Sequence, residues 1–229
     1  MEVLKPLADA VDFLQGDKKM VYGYLLPTLA TIFIKYNNLI KAERLVYFCQ
    51  IVSSLTDAIK ERFKKYFELK EDVSDAITAS ALCPDVKLQW VNALNPEFSD
   101  AKVAELSNMV RKIISTECAK DIIPTTVSIC ERANFFDFGR KNEVTPSANV
   151  ISQSQREYCN YISDPSTDIE MLCKYPSLKK CYLKFNTPLP SSAAVERLFS
   201  SATILNAPRR GSLSDDNFEK LLLLKVNPF

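Results

Sequence analysis

Residues 190–227 read PSSAAVERLFSSATILNAPRRGSLSDDNFEKLLLLKVN, and the reading of the chain turns on this stretch. Pro190, Ser191 and Ser192 supply a turn and the hydroxyls that open helices. A small, apolar helix start with one carboxylate, Glu196, follows, and Leu198 and Phe199 give it a buried face. Pro208 and Gly211 mark a turn that carries Arg209 and Arg210. Ser214 can cap a second helix, with Asp215 and Asp216 in its first turn and Lys225 in its last, where the helix dipole favours those signs. Phe218, Leu221, Leu222 and Lys225 lie along one face of it, and Leu223 and Leu224 fall on others. A helix so apolar near its end needs cover on more than one side, from its own core or from a second subunit.

Upstream, helical periodicity dominates. Pro176 opens a helix through Leu178, Tyr182, Leu183 and Phe185 that ends near Asn186, and ordered structure begins just before it at Ile169. Apolar spacing predicts further helices over Val3–Leu14, over Lys18–Tyr36 with Pro27 as a kink or a first turn, over Val73–Leu82, over part of Asp85–Leu94, and from Ser99 onward. The longest is expected over Lys41–Leu69, where Leu45, Phe48, Val52, Leu55, Ile59, Phe63 and Tyr66 recur at helical intervals. Uninterrupted, it would span about 28 residues and about 42 Å. Residues 121–168 lose this periodicity. They hold Pro124, Pro146 and Pro165 among Ser, Thr and Asn, and an aromatic knot of Phe135, Phe136 and Phe138. Their composition is that of a linker, partly disordered. The fold class expected is mainly α.

Composition removes several chemistries. There is no histidine, which rules out within this chain a Ser-His-Asp or Cys-His pair and a His-containing zinc site. With 4 scattered glycines, a phosphate-cradling loop is not expected, and no small-molecule ligand is predicted. The 7 cysteines include no C-x-x-C pair, so reduced and mostly buried thiols are expected. A formal net charge of +1 lacks the overall basic footprint of a dedicated DNA-binding domain. No apolar run reaches the length of a membrane span, and the opening residues do not read as a secretory signal, so an intracellular protein with no membrane partner is expected.

The order of a small-residue turn, Glu196–Arg197, Phe199–Ser200, Arg209–Arg210 and a leucine-rich helix resembles the C-terminal dimerisation segment of hAT-type DNA transposases. The likeness covers Tyr175–Asn227. The opening run LKPLADAVDFLQGDKKMVYGYLLPTLATIF is similar to the later part of that family's helical insertion domain. The resemblance implies a helical insertion-domain remnant over 1–120, a linker over 121–168, and over 169–229 the C-terminal helices of an RNase H-like core with the dimerisation region. It implies a homo-oligomer held by Leu198, Phe199, Phe218, Leu221, Leu222 and Leu224, and a nuclear location. It makes Glu196 the catalytic, metal-binding carboxylate, one of three that hold two magnesium ions in an intact transposase. The two aspartates belong upstream, and Asp9, Asp12 and Asp17 do not stand in for them. The chain is therefore expected to need no cofactor and to be non-catalytic alone. Arg209 and Arg210 would meet DNA phosphate only within a longer protein. The alternative is part of an active DNA transposase whose upstream half lies elsewhere. One departure stands out: the family's tryptophan before the tyrosine-proline pair is replaced by the run Met171–Leu172–Cys173–Lys174 ahead of Tyr175–Pro176. On local chemistry alone, Glu196 is a surface glutamate at a helix start, and the arginines belong to a solvated loop.

Overall fold

The computed structural model describes residues 3–16, 20–41, 48–95, 98, 100–120, 146–206 and 213–226, with 146–152 as helical backbone only. The helices are α1 (Lys5–Leu14), α2 (Leu25–Lys41), α3 (Cys49–Arg62), α4 (Lys64–Glu68), α5 (Ser74–Ala81), α6 (Val91–Leu94), α7 (Asp100–Lys120), α8 (Pro146–Ser163), α9 (Pro176–Asn186), α10 (Ala193–Leu205) and α11 (Asp215–Val226). Tighter 3₁₀ turns precede α2 (Tyr22–Tyr24), α5 (Glu71–Val73) and α9 (Ile169–Lys174). The described residues contain no strand, so the chain is mainly α.

Small residues place α5 at the centre. Its sequence is SDAITASA, and Ala76 to Ala81 are all buried. Short side chains let α2, α7, α9 and the Tyr22–Tyr24 turn approach from different sides. The end of α5 leaves carbonyls that its own backbone cannot satisfy. Distant side chains satisfy them: Asn186 Nδ2 donates to Ala79 O at 3.2 Å, and Tyr161 Oη donates to Ala81 O at 3.1 Å. The Cys83 thiol also points at Ala79 O, at 3.3 Å. Burial and the nearby Asp85 push that thiol up to about 12.

Two apolar clusters hold the helices. The smaller joins α1, α2 and α3 through Ala10, Ile32, Phe33, Tyr36, Val52 and Ile59. The larger runs from Leu26 on α2 to Phe185 on α9, by way of α5, Trp90, Leu106, Tyr158 and Tyr161. It draws on residues before 120 and after 169 alike, so one core spans the boundaries expected at those positions.

Two expectations are revised. The single helix over Lys41–Leu69 is broken, because Phe63 leaves helical geometry at φ −105°, ψ 21° and Leu69 ends α4 in the left-handed region at φ 48°. Phe63 packs against both clusters and Leu69 is buried, so side-chain burial outweighs helix continuity there. The break lets the Phe67 ring meet Phe33 edge-on at 4.7 Å. Residues 42–47 lie outside the described residues. The second revision concerns 121–168, whose later part holds α8, packed along α7. Its polar composition conceals a narrow contact face. Tyr158 and Tyr161 are buried, and Ser154 is buried within 3.5 Å of Ser115 Oγ, where only small groups fit between the helices. Residues 121–145, with Phe135, Phe136 and Phe138, lie outside the described residues.

α8 is locked at its end by a distant lysine. Lys87, itself left-handed at φ 44°, donates from Nζ to Tyr161 O at 3.0 Å, Ile162 O at 3.3 Å and Asp164 O at 2.5 Å. A cation at a helix C-terminus meets both the orphan carbonyls and the negative end of the dipole. Burial lowers the ammonium pKa, and the Asp164 charge opposes that shift. The Asp164 carboxylate accepts the Ser166 N–H and the Tyr175 hydroxyl and stands 3.5 Å from Lys174, contacts that hold it down to about 2, the Ser166 bond foremost. Lys87→Met keeps the stem and removes the cap. Urea unfolding should show a loss of about 1–3 kcal/mol, with the loss of hydrogen-exchange protection concentrated in the last turn of α8. An unchanged midpoint would deny the cap any energetic role.

Candidate interaction surface

α10 and α11 form a hairpin at the end of the chain. Local chemistry opens α10 as its sequence suggests: Ser191 Oγ accepts the Ala193 N–H at 3.2 Å, and the Ser192 hydroxyl donates to Glu196 Oε1 at 2.7 Å. Glu196 is therefore an exposed carboxylate in the first turn, tied to the residue one turn back. Among the described residues, no three potential metal-binding side chains gather into one group. Glu196 with Ser192 does not by itself form a site for two magnesium ions. Arg209 and Arg210 lie outside the described residues.

A hydrogen bond from α10 reaches the rest of the chain. Arg197 Nη2 donates to Gln15 O at 2.9 Å, just past the end of α1, where a cation suits the helix dipole. Ala193 and Leu205 are the buried residues of α10, and none of α11 is buried. α11 packs principally on α10.

The hairpin consequently exposes large apolar side chains. Phe199 is 65% exposed, Ile204 68%, Leu224 57% and Leu223 53%, and Val195, Leu221 and Val226 also face solvent. Of the six residues expected at an interface, Phe199, Leu221 and Leu224 are exposed, while Leu198, Phe218 and Leu222 are half-buried. The half-buried set follows from hairpin packing, since α10 and α11 need some apolar contact to pair. Val195, Ile204, Leu223 and Val226 are exposed as well and lie outside those six. Apolar spacing was the available signal, but it could not separate residues that pair the two helices from residues that face outward. Among the described residues, the chain's own core does not cover α11.

Single exposed apolar residues are ordinary on a protein surface, but several on two paired helices make the hairpin a candidate interaction surface. No described helix is long and apolar enough to cross a membrane. Neither a protein-family model, nor a curated protein, nor a solved structure matches the chain.

Proposed function

We propose that this chain acts by protein–protein association, as a dimerisation module whose contact surface is the α10–α11 hairpin. The supporting observation is the exposure of Phe199, Ile204, Leu223 and Leu224 on helices that, among the described residues, pack principally on each other. Burial of such side chains against a second copy contributes roughly 1.5–3 kcal/mol each before association costs are met. Stable interfaces need about 1,200–2,000 Å² in total, an area within reach of two helices from each subunit. A homo-oligomer is the assembly this reading expects.

Size-exclusion chromatography with light scattering at tens of micromolar tests the reading. The wild-type chain should show a mass above the monomer that falls on dilution. Phe199→Ser with Leu224→Asp should weaken association by at least about tenfold, equivalent to about 1.4 kcal/mol. Both side chains are exposed, so circular dichroism should show the fold unchanged. A strictly monomeric wild type at that concentration would end the proposal.

The wider reading places the module in a hAT-type transposase or a protein descended from one. In it, 1–120 is an insertion-domain remnant and the last helices belong to an RNase H-like core. Its support is the sequence likeness over Tyr175–Asn227 and Val3–Ile34. In that setting Glu196 would contribute to a magnesium site completed by upstream aspartates, Arg209 and Arg210 would meet DNA, and the protein would work in the nucleus. The exposure of Glu196 at the head of α10 is compatible with ligation by such a site.

A further inference from the structure

The break between α3 and α4 lies beside an opening far from the hairpin. Phe33 of α2, Lys60 of α3, Lys64 and Phe67 of α4 and Leu94 of α6 all line it, with Phe98 beyond α6. It encloses about 700 Å³, within the range of small-ligand sites. The wall is largely aromatic: Phe33 is buried, Phe67 and Phe98 are half-buried, and Phe67 meets Phe33 edge-on at 4.7 Å. The rest of the lining is basic. Lys60, Lys64 and Lys70 share it with one carboxylate, Glu68, which stands 2.7 Å from Lys70 and 3.9 Å from Lys64. Lys60 is held differently: its ammonium lies 5.4 Å from the centre of the Phe33 ring, and among the described residues no carboxylate bridges it. Three ammonium groups against one carboxylate leave an excess of positive charge beside aromatic surface. Leu69, between Glu68 and Lys70, carries left-handed backbone at φ 48°. Strain of that kind gathers at ligand clamps and persists where the surroundings hold it. Here the buried Leu69 side chain holds the turn, and both of its neighbours line the opening. Other openings lack this pairing. The one at Arg111 and Arg156 has cations without an aromatic wall, and the one at Phe13 and Tyr24 sets Asp9 and Asp85 against a single lysine.

We propose that this opening binds a small phosphomonoester carried on an aromatic ring. The ring packs against Phe67 and Phe98, where offset or edge-on contact adds to the burial of apolar surface. The phosphate meets Lys60 and Lys64, which act as point charges. Lys70 stays with Glu68 and offsets the one negative charge in the lining. The sequence offers no glycine loop for a phosphate, and this site needs none, because side-chain ammonium groups take the place of backbone N–H donors. Binding is non-covalent.

Isothermal titration calorimetry of the purified full chain with naphthyl phosphate at low ionic strength tests the proposal, with naphthol and inorganic phosphate as the two halves of the probe. Naphthyl phosphate should saturate one site per chain with a Kd of about 1 mM or lower. Each half alone should bind at least about tenfold more weakly. Lys60→Met with Lys64→Met keeps both stems, removes both charges and should weaken the ester by at least about tenfold. Lys179→Met, which removes an exposed charge outside the opening, should leave binding unchanged. Both lysines of the double variant are exposed, so circular dichroism should show the fold intact. Absence of saturation by the wild-type chain overturns the proposal. So does an affinity matched by either half alone, or a loss that Lys179→Met reproduces.

Discussion

Replacing Tyr161 by alanine is expected to cost about 4 kcal/mol of folding free energy, among the largest effects of any single substitution in this chain. The side chain is fully buried on α8, and its hydroxyl closes the Ala81 carbonyl at the end of α5. Its ring meets Tyr175 edge-on at 6.0 Å and lies 5.0 Å beneath the Lys87 ammonium. Truncation removes the ring, leaves a cavity, and strands a buried carbonyl. Burial and nearby acidic groups push the phenol pKa up, so it remains a hydrogen donor across the ordinary pH range. Tyr161→Phe separates the contributions: packing persists and one hydrogen bond is lost, which costs about 1 kcal/mol. Urea unfolding of the three proteins measures both steps. If the alanine variant unfolds within experimental error of wild type, α8 is not part of the cooperative core.

Gly23→Ala should cost about 3 kcal/mol, near the upper end for overpacking. A β-carbon there would stand 2.5 Å from the Ala79 carbonyl oxygen and 2.5 Å from the Cys83 sulfur. The carbonyl is backbone of the central helix, so relief requires α5 and the Tyr22–Tyr24 turn to move apart. The same displacement strains the bond from the Gly23 N–H to Asn186 Oδ1, 2.8 Å long, which ties the start of α2 to the end of α9. Asn186 is buried and acts on both sides, accepting from Gly23 and donating to Ala79. Asn186→Ala therefore leaves the Gly23 N–H without this partner and the Ala79 carbonyl with the Cys83 thiol in place of two donors. Because the two residues share one network, the double variant should lose less than the two single losses combined, by about 0.5–3 kcal/mol. Additive losses would mean that the contacts act independently.

These two sites also show where sequence reasoning stopped. A residue such as Gly23 gives no local sign of its role: one glycine between two tyrosines could be any turn. The α5 helix was predictable over Val73–Leu82, yet its place at the centre was not, since SDAITASA looks like a weak, half-polar surface helix. Its short side chains acquire meaning only when α2, α7, α9 and the turn before α2 close on it. The hairpin is the opposite case. The helix at Asp215 and the apolar character of its end were legible residue by residue, as was a helix start at Ser191 and Ser192 ahead of Glu196.

By itself, the sequence determined that this is a helical chain without histidine chemistry, that Pro176 begins a helix ending at Asn186, and that the end of its last helix is apolar on more than one face. Those properties are local: periodicity, caps, turn residues and composition act within a few residues of one another. Tertiary structure alone decided that α8 fills the second half of an apparent linker, that Phe63 breaks the longest helix, and that Lys87, Asn186 and Tyr161 close the ends of helices distant in sequence. Each of these depends on which surfaces meet, and the free energy of burying a side chain or satisfying a carbonyl belongs to the pair of surfaces rather than to either segment alone.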